Sequence, residues 1–294
     1  MIRFRNLTKS YGTREGVFGL SFEITDGEVF GLLGPENSGK TTVFSLLLDF
    51  CTPGNGWCSV NGKNCHDHAK DLSYQIGYLP EHPEFPKEMT GLQYLRFQAA
   101  VRGKRSVETG IRTAQRFGLN PEKKIGKLSP GEKKKLGIAA AFVHDPQVLL
   151  LDEPAEDLDQ AARHCLAELV RGEKEKGKSV VWASKDFEEM ERCCDRIALL
   201  RRGNLVNIDD VEAFRRQKRQ SYILTFSSEQ EAVGFLKEEV EVQDVCGSQV
   251  TVAATGELTP LIRILEKYHL MGWEKVRQPL ETMFIHFYGG EIRD

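Results

Sequence analysis

The sequence predicts an α/β fold followed by a small α+β domain, and three observations carry that prediction. A glycine loop sits between an apolar strand and a helix at 29–48, and apolar strands alternate with helices as far as about residue 210. Beyond residue 220 the order is strand, helix, strand, strand, helix, strand. Alternation of the first kind argues for a parallel sheet covered by helices, and the second order is the ferredoxin-like βαββαβ arrangement. The expected division is therefore a first domain at 1–212, with a helical portion at about 85–141, and a second domain at 220–294.

In chain order, Ile2 and Phe4, then Leu20, Phe22 and Ile24, alternate with polar residues and read as paired strands of an antiparallel region. Asp26-Gly27 signals a turn before the buried strand 29–33, and the helix after the loop carries Val43, Phe44, Leu46 and Leu47. Asn61-Gly62 after 57–60 marks a hairpin. From 85 to 141 the pattern turns helical: Thr90 caps a helix with Leu92, Leu95 and Phe97 inside, and Ile111 and Phe117 belong to another. Strands follow at 148–151 and 179–183 around a helix at 158–170, and a hairpin at 197–208 turns at Gly203-Asn204. A basic stretch at 214–219 marks the boundary to the second domain.

Composition narrows the function classes. Charged residues make up 28% and hydrophobic residues 40%, without low-complexity tracts, which suits a globular chain. A net charge of -3 steers nothing toward nucleic acid, so no nucleic-acid partner is expected. No apolar run approaches the roughly 20 residues that span a bilayer. Any membrane role is expected from the cytoplasmic face, peripherally and through a partner. Cys58, Cys65, His66 and His68 cluster, but no second ligand pair follows at zinc spacing. The lysines 133–135 and the run 173–176 read as solvated charge.

Chemistry concentrates at two places. Gly34-Pro35-Glu36-Asn37-Ser38-Gly39-Lys40-Thr41 matches G-x-x-x-x-G-K-[ST] in full, between a strand and a helix that continues through Thr42. Glycines let backbone N–H groups curl around phosphates, and the helix points its positive end at them. Lys40 would reach the β- and γ-phosphates and the Thr41 hydroxyl would bind Mg²⁺. The apolar strand 148–151 ends in Asp152 and Glu153. Asp152 would hold the metal through water, and Glu153 stands where a base polarises an attacking water.

With Leu128-Ser129-Pro130-Gly131-Glu132 before a helix, Pro154 after the acidic pair, and Leu158-Asp159 beyond, the chain resembles the nucleotide-binding domains of ABC (ATP-binding cassette) transporters over about 1–210. The resemblance implies a P-loop NTPase core with an antiparallel β subdomain and a helical subdomain. It implies ATP and Mg²⁺ as ligands, and two such domains closing over two ATP molecules as a homodimer or heterodimer. Tyr11 would stack on adenine, although the ring also suits a packed core. Ser129, Gly131 and Glu132 would face the ATP of the opposite subunit, and Asp159 would lie at the dimer seam. The run 280–289 is similar to the tail of exporters whose permease is a separate membrane polypeptide.

Three positions depart from the family pattern. Proline replaces the first glycine of the signature and removes a backbone donor, yet Ser129, Pro130 and Glu132 compose a capping box with proline at the first helical position. Glu81 stands where the family carries glutamine near the metal. Lys185 stands where it carries a histidine near the γ-phosphate. At about 4 Å a carboxylate near phosphate is repelled by about 1 kcal/mol in water-like and about 4 kcal/mol in surface-like dielectric, and a lysine is attracted by as much. Two readings stand: Glu81 and Lys185 compensate one another beside the same phosphate, or each drifted independently in a weak ATPase. The reading is an ATPase that powers an exporter, with Glu153 and Lys185 catalytic; the alternative is a hydrolysis-impaired subunit that regulates a competent partner.

Overall fold

The alternation of the first two strands fixes their register. In β1 (Ile2–Ser10) and β2 (Gly16–Ile24), Ile2 faces Ile24, Phe4 faces Phe22 and Leu7 faces Leu20, so all six apolar side chains share the inner face. β4 (Asn55–Val60) joins the other side of β1, and β5 (Lys63–Asn64) completes a four-stranded antiparallel sheet. The β4–β5 turn has both Asn61 (φ 51°) and Gly62 (φ 77°) in the left-handed region, as its Asn-Gly sequence predicts.

The computed structural model describes residues 1–12, 15–104, 106–212, 219–255 and 258–276. They form two units, Met1–Asp209 and Asp210–Asp294. The basic stretch at 214–218 and the predicted tail at 280–289 lie outside the described residues.

The first unit is organised by a six-stranded sheet in the order β10-β9-β3-β8-β7-β6. These strands are β3 (Val29–Leu33), β6 (Ile76–Leu79), β7 (Val148–Asp152), β8 (Ser179–Ser184), β9 (Arg196–Arg201) and β10 (Asn204–Asp210). The run from β9 to β6 is parallel throughout. Every residue of β3, β7 and β8 is buried, as expected where both faces of a parallel sheet are covered. Parallel strands deliver their carboxyl ends to one edge: Leu33 pairs with Ser184, Asp152 with Ala183, and Leu79 with Leu151. The loops opening at Gly34, Glu81, Glu153 and Lys185 are thereby neighbours, at the edge where α/β sheets place ligands.

Helices α1 (Lys40–Leu47) and α2 (Ala69–Ser73) belong to the core region, and α3 (Gly91–Val101), α4 (Glu108–Arg116) and α5 (Pro130–Phe142) form the helical portion. Thr90 caps α3 with Gln93 completing the box. Leu95 is fully buried, but Phe97, expected inside, is 51% exposed. Leu95, Ala99, Ala114, Leu119, Ile125, Leu136 and Ala139 make a core of their own. Helix α6 (Gln160–Glu175) starts two residues later than predicted, because Asp159 caps it by accepting from the Ala162 N–H at 2.8 Å. Helix α7 (Phe187–Met190) is one turn capped by Asp186. No helix among the described residues is long and apolar enough to cross a membrane.

Each of the two charge runs expected to be solvated has one buried member. Lys134 is 2% exposed and Glu173 5%. Glu173, in the last turn of α6, pairs with Lys178, which also pairs with Asp145.

The second unit has β11 (Arg219–Phe226), α8 (Glu229–Phe235), β12 (Glu241–Cys246), β13 (Gln249–Thr255), α9 (Thr259–Leu265) and β14 (Leu270–Val276). Its antiparallel sheet runs β12-β13-β11-β14, which places the first and third strands at the centre as a ferredoxin-like domain does. Tyr222, Leu224 and Phe226 alternate along β11 and pack with Phe235, Val250, Val252 and Leu261.

Candidate functional site

A cleft of about 350 Å³ opens at the carboxyl edge of the six-stranded sheet, lined by the glycine loop together with Tyr11, Glu81, Asp152 and Glu153. The loop is shaped by what cannot fit. A Cβ at Gly34 would lie 2.5 Å from the Leu200 carbonyl oxygen and 2.4 Å from the Ser38 hydroxyl, so only hydrogen is tolerated. The Gly34 N–H donates to Ser184 O at 3.2 Å, tying the loop to β8. Asn37 (φ 59°) and Gly39 (φ 104°) turn the chain into α1. Lys40, 7% exposed, curls back so that its ammonium donates to the carbonyls of Gly34 (2.7 Å) and Pro35 (3.0 Å). Pro35, Glu36, Ser38, Thr41 and Thr42 also line the cleft or its loop, with the Ser38 hydroxyl buried and unpartnered.

At the floor, the Thr41 hydroxyl donates to Asp152 Oδ2 at 2.8 Å, while the buried Oδ1 has no hydrogen-bond partner. Burial pushes the Asp152 carboxyl up to about 6, and the Glu81 and Glu153 charges add to this against Thr41 and Lys40. Glu153 is held from every side. Its N–H donates to Ala183 O (2.9 Å), Oε1 stands 3.5 Å from Lys40 Nζ, and Oε2 accepts from Ser184 Oγ (3.1 Å) and the Lys185 N–H (3.3 Å). Its backbone takes φ 41°, a region that residues with a Cβ seldom occupy. Burial also raises the Glu153 carboxyl, opposed by Lys40.

The Ser184 hydroxyl reaches a second carboxylate, Glu189 Oε2 at 3.2 Å, and accepts from the Asp186 N–H at 3.0 Å. Glu189 also accepts from Arg163 at 3.0 Å, and burial, then the Asp186 charge, pushes its carboxyl up to about 7 against Arg163 and Ser184.

The predicted site residues divide into those the fold gathers and those it keeps apart. Residues 36–42 of the phosphate loop and helix start, with Asp152, Glu153, Glu81 and Tyr11, line one cleft, and Gly34 and Pro35 shape the loop behind it. Tyr11 is 54% exposed and so is no core aromatic; its hydroxyl donates to the Cys51 sulfur at 3.3 Å, a contact that with burial pushes it up to about 12. The Lys185 ammonium lies 3.3 Å from Glu36 of the phosphate loop and 3.5 Å from Glu156, and both raise its pKa.

The signature residues stand outside the cleft lining. Ser129 caps α5 by accepting from the Glu132 N–H (3.2 Å), and Glu132 reaches back to the Ser129 N–H (2.8 Å). The helix start is intact with Pro130 at its first position. The Glu132 carboxylate also pairs with Lys123 at 2.9 Å, so this side chain is occupied within its own helix start. Gly131 sits where a Cβ would be 2.7 Å from Asp157 O. Asp159 caps α6 and pairs with Lys135 at 3.3 Å.

Four contributors escaped the sequence reading: Ser184, Glu189, Cys51 and Lys134. Ser184 was legible in principle as the last residue of a strand whose end enters the site. Lys134 lies on the helical stripe of Ile138 and Ala141, both buried, and that spacing is the signal.

Comparison with known proteins agrees with this geometry. Residues 17–156 match the ABC transporter family. A Nod factor export ATP-binding protein I of Burkholderia orbicola is 35% identical over 210 residues, 70% of this chain and 69% of that protein. Its counterpart in Rhizobium meliloti is 34% identical over 206 residues, 68% of this chain and 62% of that one. The uncharacterized ABC transporter ATP-binding protein YhcH of Bacillus subtilis aligns over 298 residues at 30% identity, 98% of this chain and 96% of that protein. Among solved structures, an ATP-binding subunit of an ABC transporter superimposes with a TM-score of 0.67 at 27% identity, covering 74% of this chain and 92% of that one. A dimeric ATP-binding cassette in a post-hydrolysis state with ADP and Pi shares the fold, with a TM-score of 0.64 at 21% identity over 72% of this chain and 99% of that one. By its motifs, its fold and an alignment running nearly end to end, the chain belongs to the ATP-binding proteins of the ABC transporter family.

Proposed function

We propose that this chain hydrolyses ATP and drives outward transport through a separate membrane permease, working at the cytoplasmic face. The observation that carries the reading is Glu153: a buried carboxylate pinned at both oxygens, 3.5 Å from the phosphate-loop lysine, at the wall of the cleft that the phosphate loop lines. Phosphates lie on the loop amides, and the Lys40 ammonium exchanges the Gly34 and Pro35 carbonyls for phosphate oxygens. Glu153 takes the proton of the water whose oxygen bonds to the γ-phosphorus as the bond to the bridging oxygen breaks. The exposed Tyr11 ring offers a face to adenine.

Thr41 and Asp152, with Glu81 across the cleft, are an oxygen-only donor set, and the orphaned Asp152 Oδ1 is an unclaimed ligand atom, so these residues fit a hard divalent cation such as Mg²⁺. When bound, Mg²⁺ neutralises phosphate charge. Ser129 and Gly131, outside this cleft, would complete the site of a second cassette in a homodimer or heterodimer. Outward transport is supported by the Nod factor export proteins among the relatives.

A second reading, a regulatory subunit that binds ATP without turning it over, is favoured by the engagement of Lys185 with Glu36 and Glu156. Phosphate release by wild type and Glu153→Gln at equal Mg-ATP occupancy separates the two. Turnover in wild type that falls by about 100-fold or more in the variant supports the motor. Tight ATP binding with no turnover in either protein moves the conclusion to the regulatory subunit.

A further inference from the structure

Lys134 has no part in the reading above. It lies five residues into the helix that Ser129 caps, inside a run of three lysines, and its neighbours Lys133 and Lys135 are only partly buried. Lys134 itself is 2% exposed, and its ammonium ends between two backbone carbonyls from different loops of the cleft: Glu81 O at 2.6 Å and Glu153 O at 2.9 Å. Burying an ammonium is unfavourable unless it is well hydrogen-bonded, so a lysine kept here must be held by strong acceptors.

We propose that Lys134 is the positioning residue of the cleft, a buried clamp that joins α5 to the Glu81 loop and to the turn that carries Glu153. The inference rests on the ATPase reading of Glu153 and adds a device to it. Three observations converge on the clamp. Glu153 takes φ 41°, so its turn sits in a conformation that outside contacts must hold. The contacts on its N–H and carboxylate come from β8, Lys40 and the residue after β8, whereas its carbonyl accepts from Lys134 at 2.9 Å and, within the turn, from the Glu156 N–H at 3.2 Å. The start of α5 packs on the same turn, since a Cβ at Gly131 would meet Asp157 O at 2.7 Å. A shift of α5 therefore moves Glu153 and Glu81 together. Burial lowers the Lys134 pKa, and the carboxylates of Glu156, Asp157, Glu81 and Glu153 oppose that shift.

The test uses the full chain with Lys134→Met, which keeps the stem and removes the donors, Lys134→Gln, which keeps an amide donor, and Lys134→Arg. Steady-state hydrolysis gives kcat and KM, and nucleotide affinity is measured separately in EDTA. Lys134→Met is expected to lower kcat by about 10- to 100-fold with nucleotide affinity within about twofold, and Lys134→Arg to recover part of kcat. Hydrogen exchange in Lys134→Gln is expected to speed up at 80–83 and 153–158 while the centre of the six-stranded sheet stays protected. A folded Lys134→Met with wild-type kcat overturns the proposal, and so does exchange in Lys134→Gln that is unchanged at both loops. Parallel losses of kcat, affinity and thermal stability, with no rescue by Arg, also overturn it. If wild type itself shows no turnover, the ATPase reading fails, and the exchange arm still decides whether Lys134 holds the two loops.

Discussion

At the floor of the cleft Lys40, Asp152 and Glu153 are almost wholly buried and hold one another and the main chain, whereas at its mouth Glu36 and Tyr11 are mostly exposed and Lys185, paired with Glu36, is half-buried. The floor is fixed by packing and by atoms that no ordinary substitution removes, such as the carbonyl of Ala183 and the N–H of Lys185. The mouth is fixed by side-chain pairs that water and salt weaken. The difference teaches where one departure from the family pattern can be absorbed: Lys185 lies at the mouth and is answered by Glu36, while Glu81 lines the cleft beside Asp152 and Glu153.

The sharpest way to break the comparison is Gly34→Ala. A methyl group 2.5 Å from a backbone oxygen cannot be accommodated by a rotamer change, so the loop must move. We expect loss of measurable ATP binding and a fall in stability of about 1–3 kcal/mol, read by nucleotide titration and urea melts. Unchanged ATP affinity would show that the floor is not rigid.

A smaller effect concerns Glu189 behind the floor. Its folded-state pKa of about 7 lies above the ordinary 4.5, so the folded chain keeps a proton that the unfolded chain gives up. This group's contribution is most favourable below pH 4.5, declines as pH rises to about 7, and is flat above. Glu189→Gln cannot lose that proton, and the stability difference between pH 5 and pH 8 should shrink by on the order of 1–3 kcal/mol relative to wild type. Parallel curves would show that Glu189 does not keep that proton on folding.

The smallest effects belong to the mouth. Lys185→Ala and Glu36→Gln break a pair whose members are 42% and 76% exposed, and each should change stability by no more than about 0.5 kcal/mol. Nucleotide affinity should shift within a few-fold, and less at 0.5 M than at 0.05 M salt. A loss of kcat by about 100-fold in Lys185→Ala would raise Lys185 from the mouth to the chemistry.

Much of the fold was legible because its signals are local and periodic. Ile2, Phe4, Phe22 and Ile24 announced the antiparallel pair, the apolar run 148–151 announced a covered parallel strand, and Ser129-Pro130-Gly131-Glu132 announced a capped helix start. The cleft was legible where chemistry follows spacing, from Gly34 to Thr41 and at Asp152-Glu153. What escaped depends on tertiary meetings. Which carboxylate answers Lys185 depends on a loop 149 residues away, and charge alone cannot choose between Glu36 and Glu81. Lys134 was hidden by its own residue type, since a lysine run is ordinarily hydrated; only its place on the stripe of Ile138 and Ala141 distinguishes it.

The contact between the Lys185 N–H and Glu153 has a bearing on how such sites diverge. Because the donor is a main-chain atom, the identity of residue 185 is uncoupled from the support it lends to its acidic neighbour, and proline alone among the common amino acids would withdraw it. The position is thus free to explore side chains in an evolving lineage while its backbone duty passes unaltered from one to the next.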